Sequence, residues 1–237
     1  LHLFSQLYLV QNPREQMLTK PDPLWPTVYI PSWLQPGLIP RDPQRGQAFE
    51  NIAYYGWPQN LVDPLNESKW RNELADMGLH WRIVSRSQWH DYTDTDAVVA
   101  IRSFSDKSFG YKPAAKLFNA WHAGVPCVAG PESSFRAERC NELDYLEAKS
   151  FDEAVAAMRR LRDDPALRRA MVENGNVRAR ETSCATMSHR WATILRDVVA
   201  PAWQRWRALS PAEQDQLLDR RAATVQTVAA APQGQQA

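Results

Sequence analysis

No apolar run in this chain approaches the ~20 residues that span a bilayer, so no stretch reads as a membrane-spanning helix. Net charge is nearly absent too. The 28 Lys and Arg residues against 27 Asp and Glu leave +1, which argues against a nucleic-acid binder working by bulk charge. Cysteine is scarce: Cys127, Cys140 and Cys184 are scattered, odd in number and without metal-ligand spacing. A reduced, cytoplasmic setting is the expectation. The chain has neither a G-x-G-x-x-G nor a Walker loop, which counts against ordinary dinucleotide and ATP sites. It opens "LHLFSQLYLVQNP", with no Met and no basic n-region ahead of an apolar stretch. This does not read as a signal peptide, but as a chain joined midway.

What is present is an ordinary apolar fraction, 44%, enough for a sizeable core. Residues 21–47 are dense in proline, which lacks an N–H and restricts its predecessor, so an extended, irregular linker is expected there. From residue 48 apolar runs alternate with helical patterns. "NIAYYG", "HWRIVS", "DAVVAIRS", "VPCVAG" and "DYLEA" read as strands. Helices are expected over 66–78, from Lys112 to Gly124, over 133–140, from a capping box at Ser150 and Glu153 to about Asp163, and from Asp164-Pro165 to about Gly175. Strands alternating with helices predict an α/β fold with a doubly wound, mostly parallel, Rossmann-like sheet, followed by additional C-terminal helices. In such sheets ligands bind beyond the carboxyl ends of the strands. Residues 186–221 read as helical, and 222–237, low in complexity, as a disordered tail.

The stretch "KPAAKLFNAWHAGVPCVAG", residues 112–130, is unusual. A helix start carries partial positive charge, yet Lys112 and Lys116 stand there one turn apart. At ~100° per residue Ala114, Leu117, Phe118 and Trp121 share one face, and Lys112, Lys116 and Asn119 the other. Two cations, an amide and free N–H groups facing one way favour a bound anion, most simply a phosphate. A solvated polar face is the plain alternative.

These residues also carry a resemblance. "KLFNAWHAGVPCVAG" resembles the nucleotide-sugar-binding helix and following strand of GT-B glycosyltransferases of families 1 and 4. "NIAYYGWPQNL" resembles the first strand and glycine loop of the same domain, and residues 150–179 its closing helices with a "DP-x-L-R" turn. The likeness covers roughly residues 48 to 195. It implies that 1–20 are a remnant of an N-terminal acceptor domain, 21–47 the interdomain linker, 48–185 the donor-binding domain and 186–221 its C-terminal helices. It further implies that Lys112 and Lys116 meet a diphosphate, that Gly56 allows close backbone approach to the donor, and that Arg102 is a further phosphate contact, against the alternative of a surface arginine. Asn119 and Tyr111 stand where retaining members carry a pair of glutamates, which departs from the family pattern, although Asn119 can still bind a hydroxyl. The catalytic residue stays unassigned.

Other signals are weaker. Asp94-Thr95-Asp96 is a D-x-D, but it precedes a strand where the metal-binding motif of GT-A enzymes follows one, so a turn is expected and no metal is assigned. His90-Asp91 is an adjacent pair in a loop, which seldom suits acid–base work. Ser133 and Ser134 follow "GPE" at a strand end and either donate to a phosphate or cap the next helix. Trp89 could stack a base or sugar, while Trp121 belongs to the apolar stripe.

The resemblance therefore implies a glycosyltransferase moving a sugar from a nucleotide-diphosphate sugar to a glycan or lipid-type acceptor, without a metal cofactor. Peripheral membrane association would run through the preceding domain. The competing readings are a non-catalytic, glycosyltransferase-like module binding a nucleotide or a protein, and, more weakly, another nucleotide-binding α/β enzyme such as a sugar epimerase.

Overall fold

The computed structural model describes residues 2–107 and 109–230. Its centre is a five-stranded, wholly parallel sheet. The strands are β3 (Asn51–Tyr55), β4 (His80–Val84), β5 (Ala97–Ala100), β6 (Cys127–Ala129) and β7 (Leu146–Glu147), in the order β4-β3-β5-β6-β7. The two strands before it, β1 (Tyr8–Val10) and β2 (Thr27–Tyr29), form a separate parallel pair. The proline-dense stretch is thus not wholly irregular, because Thr27–Tyr29 finds a partner in β1.

Alternation along each strand fills both faces. Ile52, Tyr54, Val99 and Ile101 point to one core with helices α2 (Ser68–Asp76) and α5 (Phe151–Asp163). Ala53, Tyr55, Val98 and Ala100 point to the other, beneath α3 (Ala115–Ala123). Burial on both faces is why these strands read as continuous apolar runs rather than alternating ones.

Further sequence readings need correction. Helix α3 begins at Ala115, not Lys112, so Lys112 and Pro113 sit in the approach to it. Its outer face is not solvated either: Asn119 is buried, its side-chain oxygen accepts from the Gln35 amide at 2.9 Å, and Arg41 N–H donates to the Ala123 carbonyl at 3.0 Å. The linker lies along this helix and covers it. Helix α6 (Pro165–Ala179) runs through Gly175 instead of stopping there. A Cβ at that position would lie 3.2 Å from Trp121 Cδ1, so the glycine serves close helix crossing rather than termination.

Among the remaining helices are α7 (Cys184–Ile194), α8 (Ala200–Ala208) and α9 (Pro211–Ala230). Leu195–Val199 join α7 to α8 as a π turn. Pro201 supplies no N–H to the Asp197 carbonyl and its ring crowds that group, which a wider turn relieves. Residues 222–230, expected to be disordered, belong to α9; 231–237 lie outside the described residues. The alanine-rich sequence favours a helix, and buried Arg221 holds it by donating to the Leu24 and Leu3 carbonyls. Ile30 of the N-terminal segment shares a small core with Met187 and Ile194, backed by Leu9, Val28 and Trp191. No helix among the described residues is long and apolar enough to cross a membrane.

Candidate functional site

The carboxyl ends of β3, β5 and β6 converge beside the start of α3. Gly56 ends β3, Arg102 follows β5, and Gly130 to Ser134 follow β6 into the short helix α4 (Ser133–Glu138). Gly56 must be glycine: a Cβ there would fall 2.7 Å from Tyr54 Oη and 3.1 Å from Lys116 Cε. The same clash distances show how closely Lys116 lies against the end of β3.

Lys116 Nζ stands 5.3 Å from the centre of the Tyr54 ring and makes no hydrogen bond or salt bridge among the described residues. Burial, reinforced by the charge of Arg102, pushes its pKa down to about 8. Glu132 pulls the other way, and Lys112 adds further repulsion. Three cations therefore act on one another here, with Glu132 as the buried acid between them. Glu132 is 1% exposed and pairs with Arg102, while its Oε1 has no partner. Burial raises its pKa, and the charges of Arg102 and Lys116 oppose that rise without cancelling it.

The sequence candidates thus separate. Gly56, Arg102, Lys112 and Lys116 come together. Ser134 lies beside Glu132, buried, with its hydroxyl lacking a partner. Ser133 Oγ accepts from Asn12 Nδ2 at 3.0 Å, which ties the N-terminal segment to the site. Asn119 does not join: it is buried and its oxygen is committed to the Gln35 amide. Tyr111 is exposed, with Lys112 Nζ 4.8 Å from its ring centre.

Sequence alone does not single out Glu132 or Asn12. The "GPE" before Ser133 is the one local sign of the first, an acid directly after a buried strand. Asn12 shows no sign, since its contact spans 121 residues. Trp57, half-exposed just after Gly56, has Trp89 packed edge-on at 5.6 Å and Arg86 at 5.8 Å from its ring.

The D-x-D aspartates part company. Asp94 pairs with Arg82, whereas Asp96 is bound by Arg45 at 2.7 Å and Arg41 at 2.8 Å. His90 and Asp91 are pinned to the linker: Ile39 N–H donates to the His90 carbonyl and Tyr92 N–H to that of Ile39. His122 Nε2 lies 3.0 Å from Thr182 Oγ1, a packing role. No group of three or more His, Cys, Asp or Glu suits a metal among the described residues. A cavity of about 290 Å³ lies at the opposite end of the sheet, between Asp96, Pro126 and Arg168.

A glycosyl transferase-like family model matches residues 49–196, which takes in the whole five-stranded sheet and this site. The chain belongs to that family. The structure is similar to sucrose-phosphate synthase from Thermosynechococcus elongatus, with a TM-score of 0.59 and 15% identity over 82% of this chain. The chain spans 59% of the synthase's length. A chain of the GtfA/B complex is matched at a TM-score of 0.49 and 13% identity, over 81% of this chain and 45% of that one. No curated protein sequence matches. At such identity the synthase likeness is one of fold: the sheet and its helices have the architecture of the Rossmann-like half of a GT-B fold. Within that fold the cationic cluster occupies the carboxyl end of the sheet, the end where open α/β sheets bind ligands.

Proposed function

We propose that this chain binds a nucleotide-diphosphate sugar at the carboxyl end of its sheet and serves transfer of the sugar to a glycan or lipid-type acceptor. The observation that carries the reading is the gathering of Arg102, Lys112 and Lys116 around the glycine end of β3, with Lys116 unpaired. Cations held in a water-poor site stabilise charge as it develops on a leaving diphosphate. The three supply that charge themselves, so the scheme needs no metal. The half-exposed Trp57 ring offers a face for the base. Acceptor binding, and any peripheral contact with a membrane, would fall to residues outside this site, in a cytoplasmic setting.

A second reading is a binding module without turnover. It is favoured by Asn119, which stands where retaining relatives are expected to carry glutamate and is occupied by the linker. Calorimetric titration with UDP, GDP and their sugars, without metal, tests the first reading. Binding is expected, and Lys116→Ala should weaken it by about 1–3 kcal/mol, the worth of a charged hydrogen bond. Binding with no transfer to any acceptor would favour the module. No binding to any of these nucleotides would sink the donor site.

A further inference from the structure

We propose that the cavity at the amino end of the sheet is a second anion site, which takes a phosphate group, free or carried on a small ester, on the guanidinium groups of Arg168 and Arg169. It lies at the opposite end of the sheet from Lys116, so its occupation does not depend on a donor bound at the first site.

Three parts of the chain enclose the cavity. The proline-rich segment brings Arg41 and residues 46–49, the amino end of the sheet brings Asp96 and Pro126, and α6 brings Arg168, Arg169 and Glu173. Arg168 is held as a fixed arm. Its Nη1 donates to the Leu161 and Arg162 carbonyls at 2.6 and 2.9 Å, and its Nη2 to the Gln47 carbonyl at 3.2 Å. Its guanidinium carbon stands 4.8 Å from the centre of the Phe49 ring. These bonds leave Nε–H and the second Nη2–H uncommitted. No acid answers the charge. Asp96 borders the cavity, but five bonds already occupy its carboxylate: one from Arg41, two from Arg45 and one each from the N–H groups of Glu50 and Asn51. Arg169 is exposed and has no hydrogen bond or ion pair among the described residues, although Glu173 stands one turn further along α6.

A purely structural role would have Arg168 do no more than cap the end of α5. That accounts for its bonds to Leu161 and Arg162, in the last turn of that helix. It accounts neither for the second arginine beside it nor for a cavity of about 290 Å³ between these side chains and the proline-rich segment. Adjacent guanidinium groups with spare donors suit the oxygens of a phosphate, which a planar fork can bind in pairs. The volume stands at the lower edge of the range of about 300–1,000 Å³ usual for ligand pockets, so it admits a small phosphate ester and not a dinucleotide. Glu173 borders the same space and can accept from the hydroxyls of such an ester.

The test is an NMR titration of the full 237-residue chain, following the backbone amides of Gln47, Phe49 and Val172, with glucose 6-phosphate, inorganic phosphate and glucose as probes. Saturable shifts with a phosphate probe, at a Kd of about 1 mM or below, are expected, and none with glucose. Tighter binding of glucose 6-phosphate than of inorganic phosphate identifies an ester as the occupant, and equal or weaker binding identifies free phosphate; both support the site. Arg169→Ala changes an exposed, unpaired side chain, so it should fold, and it should weaken binding about tenfold, the worth of a charge-assisted hydrogen bond. Arg168→Lys keeps the charge but loses the fork, and should weaken binding at least as much. Lys116→Ala should leave these shifts unchanged. Shifts that do not saturate, shifts matched by glucose, or binding that survives both arginine changes would overturn the proposal. Loss of the shifts in Lys116→Ala would overturn it too, by placing the phosphate at the other end of the sheet. If the chain binds no UDP, the donor reading fails while the phosphate titration still decides the cavity.

Discussion

Lys116 shows how one residue gains a property its sequence position does not contain. A lysine at a helix start is mildly unfavourable, and in water it would be unremarkable. Here the end of β3 presses on its stem, and burial with Arg102 drives its pKa down. The fit depends on Gly56. Gly56→Ala would set a methyl against Tyr54, which is fully buried and cannot retreat, and against the Lys116 stem. Such overpacking is expected to cost about 1–3 kcal/mol in a denaturant unfolding curve. Nucleotide binding should fall further than stability, because Lys116 is displaced from the site. Lys116→Ala should do the reverse, sparing stability and removing affinity. Comparing the two variants by calorimetry and urea melts separates packing from ligand contact.

At the scale of elements, several boundaries follow from local chemistry. Gly78 and Gly124 have φ of +74° and +69° and close the helices before β4 and β6, as read from sequence. Ser150 caps α5: its hydroxyl accepts from Glu153 N–H at 3.1 Å, while Glu153 reaches back to the Lys149 N–H at 2.7 Å. Ser150→Ala should lower stability by about 1 kcal/mol in chemical denaturation, with donor binding unchanged, since α5 lies on the opposite face from α3. Helix α6 illustrates the contrary case. Glycine is a good stop signal in isolation, but Trp121 crosses α6 at Gly175 and needs a position without a side chain. A contact between residues 54 positions apart overrides the local signal.

At the scale of the molecule, the proline-rich segment is a covering layer over α3. Asp96 holds it. Its carboxylate receives one bond from Arg41, two from Arg45 and one each from the N–H groups of Glu50 and Asn51, so the two arginines tie the segment to the amino edge of the sheet. Burial raises its pKa, but the Arg45 bond, the two backbone donors and Arg41 outweigh that and leave it lowered. A depressed carboxylate stabilises the fold above its unfolded pKa and loses that contribution as the pH falls through the folded value. Acid unfolding monitored by tryptophan fluorescence is therefore expected to steepen below about pH 4. Asp96→Asn should cost about 3 kcal/mol at pH 7 by leaving two arginines without their carboxylate, and should flatten that acid limb. The clamp lies at the end of the sheet opposite Lys116, so donor affinity of the folded variant should be retained.

The amino-acid sequence by itself determined the alternation of strands and helices and the parallel sheet, and it pointed to the carboxyl end of that sheet. Each rests on local signals: apolar runs long enough for a doubly buried strand, capping residues, and glycines that stop a helix. It also marked Gly56, Arg102, Lys112 and Lys116, because cations and a glycine at strand and helix ends are visible in one dimension. Only the tertiary structure decided that α3 is covered on its outer side, that Asn119 faces the linker, that Gly175 makes a crossing, and that Glu132 sits among the cations. These depend on contacts between residues 30 to 120 positions apart. No local pattern encodes such contacts, since a buried acid and an exposed one are the same letter until the chain closes around it.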